Sequence, residues 1–236
     1  MNNRIERTLF WFKNGREECH RLTNYFFALG TLLNRLLNEK YHGKKIQFIN
    51  IEFFSRDTYQ IFPIIPPNYI HYYGKAGGHL AYYGLIDFEV FDNLSDDEQK
   101  RYIWQMAYEY LQTSAKQIKN DSLLDASEYA YKRGLEINLN PDYRVIETDG
   151  IVYGQPIKAA VWISFRKEGM LSKLTIEKAG IIIFEKQIDE TVNGVEFFLE
   201  MYKKIEIDNN TIIIRGSRDV EYLPLKLTIE RDIIEF

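Results

Sequence analysis

The stretch from Asp87 to Asn120 constrains this chain most. Its middle reads Ser95-Asp96-Asp97-Glu98. That is the signature of a capping box, in which the Ser95 hydroxyl accepts from the N–H of Glu98 and the Glu98 carboxylate reaches back to the N–H of Ser95. Three acids in the first turn suit the positive end of a helix dipole. Behind the box, Ile103, Met106, Ala107, Tyr110, Leu111, Ser114 and Ile118 recur at helical spacing and give an apolar stripe about six turns long. Ahead of it, Ile86, Phe88 and Val90 alternate with Asp87 and Glu89, which extends an expected strand from Leu80 to Phe91, with a turn at Asp92-Asn93. A strand running into a long amphipathic helix fits an α+β protein.

The flanking segments support that class. Gly15 to Tyr41 reads as one long helix, with Leu22, Phe26, Leu29, Leu33 and Leu36 on one side. Gly30 falls inside it, where glycine costs roughly 1 kcal/mol against alanine, so a close crossing with another element is expected there. Lys44 to Phe54 alternates as a strand, with Ile49, Ile51 and Phe53 opposite Asn50 and Glu52. Residues 56–80 read as irregular, with a short helix over Pro67–Tyr73 as the alternative. Leu123 to Leu139 is a third helix, capped by Asp121 or Ser122 and ended at Asn140-Pro141.

From Asp142 the pattern changes to strands and turns. Ile157, Ala159, Val161, Ile163 and Phe165 alternate with Lys158, Ala160, Trp162, Ser164 and Arg166. Turn signals stand at Asp149-Gly150, Asn193-Gly194 and Asp208-Asn209-Asn210. Val195–Ile207 suits a strand or a short helix. The expected architecture is therefore N-terminal helices packed on a sheet in residues 1–140, followed by a C-terminal antiparallel β-meander in 141–236. No flexible linker marks the boundary, so the halves can share one core.

Composition weighs against several functions. A net charge of −4, with no Lys/Arg cluster denser than Arg166-Lys167 or Lys203-Lys204, lacks the basic stripe of a nucleic-acid binder and favours a basic partner. The single Cys19 allows no internal disulfide, which fits a reducing compartment. Leu9–Phe12 is a short apolar patch rather than a signal segment, and no run approaches the ~20 apolar residues of a membrane span. These features lead us to expect a cytoplasmic protein with no membrane and no nucleic-acid partner. Gly74-Lys75-Ala76-Gly77-Gly78 is not a phosphate loop, because its lysine precedes the glycine run and a strand follows. His71 and His79, with His20, His42 or Cys19, show no metal-ligand spacing, and no cofactor is expected.

The candidate site is the loop from Tyr59 to Tyr83, which sets Tyr69, His71, Tyr72, Tyr73, Lys75, His79 and Tyr82 on a frame of prolines and glycines. Low-entropy aromatic side chains are good material for recognition. Tyr72 and Tyr73 are the expected anchors. Beside them, Glu52, Asp87 and Glu89 lie opposite the apolar sets of their strands. If those strands are neighbours, three carboxylates line one sheet face. Such a cluster would meet a basic partner, or serve a metal-assisted hydrolase or nuclease. A small-ligand binder with the loop as lid is a third reading.

Ile65-Pro66-Pro67-Asn68-Tyr69-Ile70-His71-Tyr72-Tyr73, followed by Gly77-Gly78, is similar to the Leu-Pro, Tyr, aromatic, Gly-Gly stretch of SUKH-type immunity proteins. The match covers about fifteen residues. A helix and a strand precede the stretch here and two long helices follow it, which departs from that family, so no residue role is carried over. The resemblance implies a non-catalytic inhibitor that neutralises a protein toxin.

Overall fold

The computed structural model describes residues 4–43, 46–74 and 78–235. The chain forms two compact units, Met1–Pro141 and Asp142–Phe236. Both helices and sheets are present, as an α+β class requires.

The first unit runs β1 (Arg7–Asn14), β2 (Glu17–Glu18), α1 (His20–Tyr25), α2 (Phe27–Asn38), β3 (Phe48–Phe54), α3 (Arg56–Ile61), β4 (Tyr69–Tyr73), β5 (His79–Leu85), α4 (Phe88–Asp92), α5 (Asp96–Gln117) and α6 (Asp121–Glu136). Its five strands pair in the order β2-β1-β3-β5-β4. The central strands β1, β3 and β5 are parallel, and β2 and β4 close the edges antiparallel. Alternation along the strands turns Phe10, Phe12, Ile49, Ile51, Phe53, Leu80 and Tyr82 to one side. There they meet Leu29, Leu32, Leu33 and Leu36 of α2, Ile103, Trp104 and Leu111 of α5, and Leu123, Ala126 and Ala130 of α6. Each of the larger buried side chains stabilises the unit by roughly 1.5–3 kcal/mol relative to exposure. Phe12 and Phe53 stack across β1 and β3 at 5.0 Å.

Several sequence expectations are corrected here. The apolar patch Leu9–Phe12 is the centre of β1. Phe10 and Phe12 are buried on one face and Leu9 and Trp11 half-buried on the other, so the run shows no apolar/polar alternation. The helix expected over 15–41 is divided: Gly15 turns at φ +60°, β2 and α1 follow, and α2 starts after Phe26. Within α2, a Cβ on Gly30 would lie 2.9 Å from the Thr8 carbonyl, so the glycine admits the close crossing over β1. The strand expected to reach Phe91 stops at Leu85. Asp87 instead accepts from the N–H groups of Glu89 at 3.0 Å and Val90 at 3.2 Å and caps α4, so a local cap overrides the alternation. Residues 56–80 are not irregular throughout: they contain α3, capped by Ser55, and β4 where a short helix was the alternative. The capping box at Ser95 and Glu98 is present, with the Ser95 N–H donating to the carboxylate at 2.9 Å. The cap of α6 is Asn120, which accepts from the Leu123 N–H at 3.0 Å, rather than Asp121 or Ser122.

The second unit contains β6 (Tyr143–Val152), β7 (Gln155–Phe165), β8 (Gly169–Lys178), β9 (Ile181–Val192), α7 (Glu196–Glu200), β10 (Tyr202–Asp208), β11 (Thr211–Gly216), β12 (Leu225–Thr228) and α8 (Arg231–Glu235). They form two antiparallel meanders, β6-β7-β8-β9 and β10-β11-β12. The first hairpin turns at Tyr153-Gly154, both at positive φ, not at Asp149-Gly150; Gly150 stays in β6 opposite Ile157. The segment 195–207 resolves into α7 and then β10. The Tyr202 and Tyr222 hydroxyls link buried Ser172 to Asp189 in a chain of hydrogen bonds of 2.6, 3.2 and 2.7 Å. Among the described residues, no helix is long and apolar enough to cross a membrane.

Candidate partner-binding surface

The first sheet buries one face under α2, α5 and α6. Alternation sends the other residues of each strand to the opposite face. In register, Trp11, Glu52, Tyr83 and Tyr69 form one row across β1, β3, β5 and β4. Arg7, Phe48, His79 and Tyr73 form another, with Leu9, Asn50, Ala81 and His71 between them. None of the larger side chains in these rows is fully buried.

The rings on this face touch in sequence. Tyr73 meets His71 at 3.7 Å, His71 meets Tyr69 at 5.9 Å, Tyr69 meets Tyr83 at 6.2 Å, and Tyr83 meets Phe54 at 6.0 Å. Tyr59 of α3 continues the run at 5.9 Å from Phe54, fixed by its hydroxyl donating to the Gly84 carbonyl at 2.8 Å. Beyond it the chain from α3 to β4 exposes Ile61, Phe62 and Ile64, with Lys13 over the Phe62 ring at 4.6 Å. Ile64 is 94% exposed, Tyr69 42% and Tyr73 49%. Concentrated exposure of large apolar groups is what marks an interaction surface.

Glu52 sits in this face, between Trp11 and Tyr83. Burial pushes its carboxyl up to about 7; the Glu18 carboxylate adds to the shift and the Lys13 ammonium opposes it. Lys13 is itself paired with Glu18 at 2.6 Å, which weakens its hold on Glu52. Burial also lowers the His79 imidazole, helped by Arg7 and His71. Two buried polar atoms on this face, Trp11 Nε1 and Asn50 Oδ1, have no hydrogen-bond partner.

The structure separates the expected site residues into groups. Tyr69, His71, Tyr73, His79 and Glu52 come together on the open face. Tyr72 and Tyr82 alternate to the other side. Tyr82 is 4% exposed and stacks on Tyr110 at 4.2 Å, so it is a core residue and not a contact residue. Tyr72 packs against the core, so Tyr72 and Tyr73 cannot act as adjacent anchors on one surface. Lys75 lies outside the described residues. Asp87 and Glu89 are not on the sheet. Since β5 ends at Leu85, they stand beyond its carboxyl end, and the three carboxylates do not share a sheet face. Among the described residues, no group of three or more His, Cys, Asp or Glu side chains is placed to hold a metal ion.

Asp87 and Glu89 line a different feature, an open cleft of about 540 Å³ at the carboxyl ends of the parallel strands. Asn14, Ser55 and Leu85 mark those three strand ends, and Arg56, Asp57, Ile86, Phe88 and Tyr102 complete the walls. Ser55 is occupied locally, accepting from Gly15 N–H at 3.1 Å and Thr58 N–H at 3.2 Å. The Asp87 carboxylate raises the Tyr102 phenol together with burial, the larger cause. Sequence reasoning missed Trp11, Asn14 and the cleft because it missed β1. The signal was the run Leu9-Phe10-Trp11-Phe12, readable as a buried parallel strand.

Comparison of this chain with protein-family models, with curated proteins and with solved structures finds no match.

Proposed function

We propose that this chain is a non-catalytic protein-binding module whose contact surface is the open face of the first sheet. The observation that carries the reading is the unbroken row of rings from Tyr73 to Tyr59; the segment that follows in the chain also exposes Ile61, Phe62 and Ile64. Tyrosines held by a sheet lose little entropy on contact, and aromatic side chains dominate binding hot spots. The net charge of −4 and the Glu52 carboxyl on this face favour a basic partner. The similarity of residues 65–78 to SUKH-type immunity proteins makes a bacterial protein toxin the first partner class to test. The experiment is capture of partners by tagged wild-type protein and by the Tyr69→Ala/Tyr73→Ala variant. One stoichiometric protein held by the wild type and released by the variant supports the reading; retention by both overturns it.

The cleft favours a second reading, a small polar ligand. Its volume lies in the range of small-molecule sites, and carboxylates beside the Phe88 and Tyr102 rings suit a cationic group. A thermal-shift screen yielding a saturable hit that is lost in Glu89→Gln would move the assignment there.

A further inference from the structure

We propose that β4 pairs, antiparallel, with β4 of a second copy of this chain, joining two first sheets edge to edge. The proposal uses the same strand as the proposed partner surface but a different part of it: the backbone edge, not the ring face. β4 is the terminal strand of its sheet among the described residues. An open strand edge presents a row of backbone donors and acceptors, and the group that fits such a row is another strand. Proteins blunt such edges with charges, prolines or bulges. Tyr69-Ile70-His71-Tyr72-Tyr73 carries no Lys, Asp, Glu or Pro, and its pairing with β5 is continuous from Tyr69↔Tyr83 to Tyr73↔His79. The contrast within the molecule is direct. The edge strand β9 carries Glu185, Lys186, Asp189 and Glu190, and its pairing with β8 shifts register at Ser172/Lys173 and Ile176/Glu177.

The sequence of β4 also complements itself. A two-fold axis normal to the sheet reverses the strand and preserves the faces, so opposed residues must come from the same face. Centring that axis on His71 sets Tyr69 opposite Tyr73 of the second copy on the open face. On the other face it sets Ile70 opposite Tyr72. Aromatic–aromatic and aromatic–β-branched pairs are the favourable cross-strand combinations. No Lys, Arg, Asp or Glu side chain faces another in this register. The ring rows of the two copies then form one continuous platform.

Sedimentation of the purified protein over a range of concentrations, with no partner present, tests this. The wild type is expected to shift from monomer to dimer as concentration rises. Tyr69→Glu/Tyr73→Glu sets carboxylates opposite each other in this register and should abolish the dimer. Tyr69→Glu/Tyr73→Lys sets a carboxylate opposite an ammonium and should keep it. Circular dichroism of both variants confirms that each is folded. A wild type that stays monomeric overturns the proposal, as does a dimer that survives Tyr69→Glu/Tyr73→Glu or is lost equally in both variants. Because no partner is present, failure here leaves the partner-binding reading to its own test.

Discussion

The indole of Trp104 on α5 packs against Gly134 on α6, so close that a Cβ at position 134 would overlap the ring. Trp104 is 1% exposed and its Nε1–H donates to the Tyr131 carbonyl at 3.1 Å, which prevents the ring from moving aside. Gly134→Ala gains helix propensity of about 1 kcal/mol but forces two packed helices apart. Overpacking of this kind costs about 1–3 kcal/mol, so a net loss of stability is expected in chemical denaturation. A rise in the midpoint would show that the helices can separate freely.

Asn38 holds the start of β1. Its Oδ1 accepts from the Ile5 N–H at 2.9 Å, and its Nδ2 donates to the Ile5 carbonyl at 2.8 Å. Ile5 is fully buried, so water cannot readily replace those bonds. Asn38→Ala should cost about 1–3 kcal/mol, because two backbone groups lose their partners. Hydrogen exchange at the Ile5 amide should be faster in the variant than in the wild type; unchanged protection there would contradict this role.

Glu52 gives stability a pH dependence of defined sign. Its carboxyl titrates at about 7 in the folded protein, against an ordinary value of ~4.3 in the unfolded chain. The unfolded chain therefore releases this proton first. The contribution is complete below ~4.3, declines as pH rises toward 7, and is constant above that. Partial solvent exposure limits it to on the order of 1–2 kcal/mol. Glu52→Gln should remove the slope and stabilise the protein at alkaline pH, as read from urea midpoints at several pH values. An identical slope in the variant would assign the dependence to other groups.

The two sides of the sheet should respond differently to truncation. Tyr69→Ala/Tyr73→Ala removes exposed rings, so stability should change little while partner affinity falls tenfold or more, roughly 1.4 kcal/mol per decade. Tyr82→Ala empties a buried site against Tyr110 and should cost about 3–5 kcal/mol of stability. Equal effects on melting temperature would mean that the open face is covered in solution.

Single-chain patterns with a local cause were legible. The Ser95–Glu98 capping box, the stripe of α5 and the change of grammar after residue 141 all arise from residues near in sequence, and all are present. So is the close approach at Gly30, although its partner, Thr8 of β1, was not. Reading failed where a local device competed with periodicity. The alternation through Phe91 looked like strand, but the Asp87 side chain satisfies two N–H groups and starts a helix.

Hydrophobic spacing settles which segments bury an apolar face, because it acts without reference to other elements. Tertiary structure alone decided what those faces meet. β1 has no apolar/polar alternation, since Leu9 and Trp11 on its second face are half-buried and that face admits apolar residues too. Only its parallel pairing with β3 places Trp11 beside Glu52, and that pairing together with the parallel β3–β5 pairing brings the three strand ends together at the cleft. The antiparallel pairing of β4 with β5 decides the site residues. Tyr72 and Tyr73 are neighbours in sequence, but the strand's period of two sends one to the core and the other to the open face.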